Sequence, residues 1–156
     1  MNFVKHLLIV AHTPSPNTKR LADSVFNGSQ NPAITGVEII MKTPFETVIQ
    51  DVLWANAILL GTTENLGYMS GALKDFFDRT YNAALGKTDG LPYAVYIRAG
   101  MDGTGTKRGI KSITTGLRWR EVQPPLILKG DWRTEFLSEA NDLGTSLSAG
   151  LEAGVF

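Results

Sequence analysis

Cysteine is absent from the 156 residues. That excludes a disulfide scaffold, a thiolate metal site and a cysteine nucleophile, and it fits a cytoplasmic protein. Histidine occurs only at His6 and His12. Neither has HxH or HxxxH spacing, so no metal cluster and no Ser/His/Asp arrangement is expected. An excess of charge is missing too: fifteen basic residues balance fifteen acidic ones. A nucleic-acid surface or a polybasic membrane surface needs a basic excess, so neither partner is expected. No stretch approaches the roughly 20 apolar residues of a membrane span. The run Leu7–Ala11 behind Lys5 falls short of the about 7–15 residues of a signal-peptide core and has no small-residue cleavage site after it. Repeats, linkers and low-complexity tracts are also lacking. The expectation is one domain over residues 1–156, with 43% apolar residues to build its core.

What is present is a repeated alternation. Leu7–Ala11 is a continuous apolar run, as in a strand buried on both faces. The loop 12–18 follows, with Asn17 expected as N-cap of a helix burying Leu21, Ala22, Val25 and Phe26. Val37–Met41 reads as a strand. Thr43-Pro44-Phe45-Glu46 reads as a capping box opening a helix with Phe45, Ile49, Val52 and Leu53 on one face. A strand over 57–61 leads through a polar, glycine-bearing loop into a helix from Ala72 to about Ala84, burying Leu73, Phe76, Phe77 and Thr80. Lys74–Asp78 and Asp75–Arg79 are i,i+4 pairs that decorate its outer side.

Tyr93–Ile97 is the fourth strand, followed by the loop 99–105 and a helix over 106–119. Leu126–Leu128 is the fifth; the preceding Pro124-Pro125 assigns it to a sheet edge. The last helix carries Phe136, Ala140, Leu143, Leu147 and Leu151. Five βα units with short loops imply an α/β three-layer domain with a five-stranded parallel sheet in the order 2-1-3-4-5. The loops after strands 1 and 3 then flank one crevice at the topological switch point, and the loop after strand 4 closes its side.

Each of these loops carries candidate chemistry. Thr13, Ser15, Asn17 and Thr18 set hydroxyls and an amide before a helix N-terminus, where a phosphate meets backbone N–H groups and the helix dipole. The same residues also suit an ordinary capped loop. The Gly-Lys-Ser/Thr ending of a Walker loop is absent. In the central loop Glu64 and Asn65 offer an acceptor and donors to a heteroaromatic edge, and Gly67 permits close backbone approach. Tyr68 either stacks on a ring or covers the core. Gly103-x-Gly105-x-x-x-Gly109 hints weakly at dinucleotide binding but follows the wrong strand; a close-approach loop is the preferred reading. His12 either donates to a phosphate or faces solvent, and His6 is structural. Response-regulator chemistry needs acidic residues where His12 and Thr13 stand.

At these loops the sequence resembles the flavodoxin-like superfamily, and within it the NAD(P)H-dependent FMN reductase and quinone reductase branch. The resemblance runs over essentially the whole chain and is most specific from Gly61 to Arg79. It implies FMN as cofactor. Thr13, Ser15, Pro16, Asn17 and Thr18 would hold the phosphate, with Pro16 standing where the family often has Gly. Thr63, Glu64, Asn65, Leu66, Gly67 and Tyr68 would hold the isoalloxazine edge. Ala99, Gly100, Met101 and Gly103 would contact the other side of the ring, without the aromatic that many flavodoxins place there.

The implied activity is an NAD(P)H-dependent oxidoreductase passing electrons from a nicotinamide through FMN to a quinone or similar small-molecule acceptor, with no catalytic side chain required. Arg98, Lys107 or Arg108 would meet the nicotinamide cofactor's phosphates, or else are surface charges. The alternative is a flavodoxin-type electron carrier without nicotinamide turnover; a net charge of zero weighs against it, because such carriers present acidic surfaces. A domain that keeps the fold without the flavin is the third reading. The resemblance also implies a homodimer or homotetramer.

Overall fold

The computed structural model describes residues 3–156. The alternating pattern becomes a parallel sheet covered on both faces. In chain order the elements are β1 (Lys5–Ala11), α1 (Pro16–Ser29), β2 (Val37–Lys42), a 3₁₀ turn (Pro44–Glu46), α2 (Ile49–Trp54), β3 (Ala57–Asn65), β4 (Tyr68–Met69), α3 (Gly71–Ala84), β5 (Pro92–Ala99), α4 (Thr104–Gly116), β6 (Arg120–Glu121), β7 (Leu126–Lys129) and α5 (Glu135–Ala153). The sheet path is β2-β1-β3-β5, with β6 and β7 both parallel to β5 on the far edge.

Two features depart from a plain five-stranded sheet. The edge strand is split: from Tyr93 to Tyr96 β5 advances three residues, while its partner advances five, from Glu121 to Leu126. The surplus holds Pro124 and Pro125, which have no N–H to give the ladder. The other addition is β4, which folds back antiparallel on the end of β3, pairing Glu64 with Met69 and Asn65 with Tyr68.

Alternation along the strands builds two cores. Leu7, Ile9, Ala57, Leu59 and Tyr96 face α1 and α5. Leu8, Val10, Ile58, Leu60 and Ile97 face α2, α3 and α4. Strands buried on both sides must be apolar at every position, which is why β1 and the first half of β3 read as unbroken runs. Each large aliphatic side chain so buried contributes about 1.5–3 kcal/mol before entropy is counted.

Several helix starts are corrected. The N-cap of α1 is Ser15, not Asn17: Pro16 occupies the first helical position, and the Ser15 side chain accepts the Thr18 N–H. The Thr43–Glu46 motif caps a single 3₁₀ turn, with the Thr43 N–H donating to Glu46 Oε1 at 3.2 Å, and α2 begins only at Ile49. Phe45 and Leu53 are therefore exposed and do not line a buried face. The fourth helix runs 104–116 instead of 106–119. Among the described residues no helix is long and apolar enough to cross a membrane, and no group of His, Asp and Glu is placed to hold a metal.

Candidate functional site

All three sequence-flagged loops lie at the carboxyl ends of parallel strands. β1 and β3 are neighbours there, and the His12 N–H donates to the Gly61 carbonyl at 3.0 Å. This is the switch point of the sheet, since β2 lies on one side of β1 and β3 on the other.

The first loop is a compact cap. The Thr18 N–H donates to Ser15 Oγ at 3.2 Å, and the Ser15 N–H donates to Thr18 Oγ1 at 2.9 Å. Thr18 is buried and its hydroxyl also donates to the Ser15 carbonyl, so Thr13, Ser15 and Asn17 remain the accessible polar side chains. Asn17 Oδ1 receives Arg20 at 3.4 Å. Thr13 lines a cavity of about 110 Å³ shared with Lys42, Thr43 and Glu46, on the β2 side of the loop. His12 is half-buried, and that burial holds its imidazole below the usual pKa of 6.5. It favours the neutral ring.

The central segment is not a plain strand-to-helix loop. It is a β-hairpin, with Leu66 (φ 52°) and Gly67 (φ 76°) as its two-residue tip. Positive φ at both central positions is the type I′ geometry that matches the twist of paired strands. Gly67 adopts it freely. Leu66 does so at a cost, and its side chain is fully exposed. At the base of the hairpin the Ser70 N–H donates to Thr62 Oγ1 at 3.1 Å, and Ser70 Oγ accepts the Leu73 N–H at 3.1 Å to cap α3. Thr63 Oγ1 donates to Asn65 Oδ1 at 2.8 Å.

Glu64 has a definite partner. Its Oε1 accepts the Met101 N–H and its Oε2 the Gly103 N–H, each at 2.8 Å. The carboxylate thus spans the gap between the hairpin and the loop after β5. That loop is further held by the Thr104 N–H, which donates to Asp102 at 3.0 Å and lowers the Asp102 pKa. Ala99 and Gly103 are buried, whereas Gly100 and Met101 are exposed.

The glycine series after β5 has a packing explanation. A methyl at Gly105 would overlap the Gly67 carbonyl oxygen, and one at Gly109 would overlap the Tyr68 ring. These absences let α4 receive the hairpin, so Tyr68 covers Gly109. No dinucleotide fingerprint is needed to account for them.

Two contributors escaped the sequence reading. The loop after β7 joins the site edge, its Gly130 N–H donating to the Ala99 carbonyl at 3.0 Å. Trp132 in this loop has the Arg20 and Arg98 guanidinium carbons 5.5 Å and 5.9 Å from its ring centre. Arg79, whose pair with Asp75 was visible in its spacing, also donates to the Pro44 and Thr47 carbonyls at 2.7 and 2.8 Å. It thereby binds the 3₁₀ turn to α3. Contacts between residues 32 and 35 positions apart leave no local sequence signal.

No family model matches the chain. A curated flavodoxin of Aquifex aeolicus (strain VF5) is 32% identical over 111 residues, which are 71% of this chain and 59% of that protein. The chain thus spans under two thirds of that relative's length. Among solved structures, a flavodoxin from the domain Archaea superposes with a TM-score of 0.79 at 20% identity, covering 94% of this chain and 99% of that one. A flavodoxin, WrbA-like protein from Agrobacterium tumefaciens gives 0.73 at 14% identity, covering 96% and 98%. These likenesses establish the flavodoxin-like fold.

Proposed function

We propose that this chain is an FMN-binding electron-transfer protein of the flavodoxin type. The observation that carries the reading is the meeting of loops at the switch point: a hydroxyl-rich helix N-terminus beside β1, a hairpin extending β3, and a third loop joined to that hairpin through Glu64. The residues fit the cofactor. A phosphate dianion can be held by neutral N–H and O–H donors at a helix N-terminus, and the start of the 14-residue α1 with Thr13, Ser15 and Asn17 supplies them. Met101 and Leu66, both exposed, and Gly67 and Gly100 provide low, uncrowded walls for a planar ring.

When bound, FMN supplies the redox chemistry, which lies beyond any side chain present. The chain's own residues position it. Ser15 and Thr18 fix the first turn of α1 through reciprocal hydrogen bonds. Glu64 fixes the separation of the two ring loops, and both of its oxygens are already engaged by backbone N–H groups. It acts as a positioning residue. Neutral His12 adds one imidazole N–H near the start of the first loop.

The relationship to a named flavodoxin favours a carrier over a nicotinamide-dependent reductase. What favours the reductase is the balanced charge of fifteen against fifteen, unlike an acidic carrier surface. Anaerobic addition of NADH and then NADPH to the FMN-loaded protein separates the two. The carrier reading expects the visible absorbance to persist with either nicotinamide and to bleach with dithionite. Rapid bleaching by a nicotinamide would establish the reductase instead.

A further inference from the structure

The split of the edge strand has a consequence on the α4 side of the sheet. Between the two edge segments the chain bulges at 122–125, and a cavity of about 180 Å³ opens there against β5. Its walls are Val95 and Ile97 from β5, Ile110 from α4, and Pro125 from the bulge. All four are apolar. A closed apolar cavity of about 150 Å³ is enough to take a benzene ring.

The polar groups of the cavity are unequal. Thr114 Oγ1 donates to the Tyr93 hydroxyl at 2.9 Å, and the hydroxyl in turn faces Glu121 at 3.3 Å. Lys111 is held by the same Glu121 carboxylate at 3.1 Å. Lys107 also lines the cavity, one turn earlier on α4, and has no carboxylate partner among the described residues. A shallow groove on α4 continues from the same two lysines and adds Arg108. An apolar chamber thus opens beneath a rim on which Glu121 neutralises Lys111 and Lys107 is left as the cation without a carboxylate partner among the described residues. Its floor hydroxyl is already satisfied, so a ligand gains nothing from a buried polar group and gains from an anionic one at the mouth.

We propose that this cavity is a second ligand site, separate from the three-loop crevice, which takes a small aromatic carboxylate: ring against Val95, Ile97 and Ile110, carboxylate on Lys107. The probe is benzoate, added to the full chain with its isoleucine, leucine and valine methyl groups labelled for NMR. Benzamide, its neutral isostere, is the comparator. The expected result is a saturable shift of the Val95, Ile97 and Ile110 methyls with benzoate and much weaker binding of benzamide. Lys107→Glu, an exposed change, is expected to weaken benzoate binding roughly tenfold or more. Ile110→Phe, which fills the chamber, should abolish it, and an unchanged methyl spectrum elsewhere verifies that this variant folds. The proposal is overturned if those methyls do not move, if benzamide binds as well as benzoate, or if Lys107→Glu binds like the parent.

Discussion

Glu64 shows how one side chain joins two loops. An ionised carboxylate accepting two backbone N–H bonds is worth more than neutral pairs, and each such bond contributes about 1.5–3 kcal/mol. Glu64→Gln keeps one acceptor oxygen and sets an amide N–H against the other N–H. Urea denaturation should show a loss of about 2 kcal/mol, with weaker FMN binding as the ring loops separate. Tyr96 makes the opposite case. Its ring lies where a side chain at Gly61 would be, and its hydroxyl is fully buried without a partner. Burial drives that phenol's pKa well above its usual 10, so it stays neutral and unsatisfied. Tyr96→Phe should be neutral or raise stability by about 1 kcal/mol, read as a rise in Tm. His12 adds a pH dependence. Its folded pKa lies below 6.5, so the unfolded chain binds the proton more readily. The contribution of the neutral ring is complete above pH 6.5 and is lost as pH falls through the folded value. A His12→Gln variant should show a flatter stability profile across that window.

The elements show where sequence patterns carried and where they stopped. Strand positions were readable because strands buried on both faces must be apolar throughout; Leu7–Val10 and Ala57–Leu60 are all fully buried. The hairpin was not, because Thr62-Thr63-Glu64-Asn65 is polar and its partner strand is only Tyr68–Met69. Positive φ at a leucine opposes the usual turn chemistry, so the tip gave no Asn-Gly signal. The first cap was misplaced by two residues, since Ser15 and Asn17 are both good caps and only Pro16 at the first helical position decides between them. The hairpin yields a direct prediction. Leu66→Asn places a residue that tolerates the left-handed region at the tip, and should stabilise the fold by up to about 1 kcal/mol in a denaturant titration. Gly109→Ala is expected to do the reverse, because the new methyl meets the Tyr68 ring.

Across the whole molecule the last helix is tied to the segment that leads into the edge strand β2. Glu152 near the end of α5 accepts the Thr35 and Gly36 N–H groups at 2.7 and 2.5 Å, anchoring the approach to β2. Order 2-1-3 and a sheet covered by helices on both faces were legible from βα alternation, but this latch spans 117 and 116 residues and has no local signature. Glu152→Ala should cost about 1 kcal/mol, while removing the exposed Lys19–Asp23 pair should leave stability within about 0.5 kcal/mol. The scaffold serves one purpose on this account, which is to present three loops to a flavin phosphate and ring. A fluorescence-quenching titration of the flavin-free protein with FMN and with riboflavin tests that most directly. The account predicts one FMN per chain, bound far more tightly than riboflavin because only FMN brings a phosphate to the start of α1. Equal affinity for the two would contradict the phosphate site, and no quenching by either would contradict the flavoprotein reading itself.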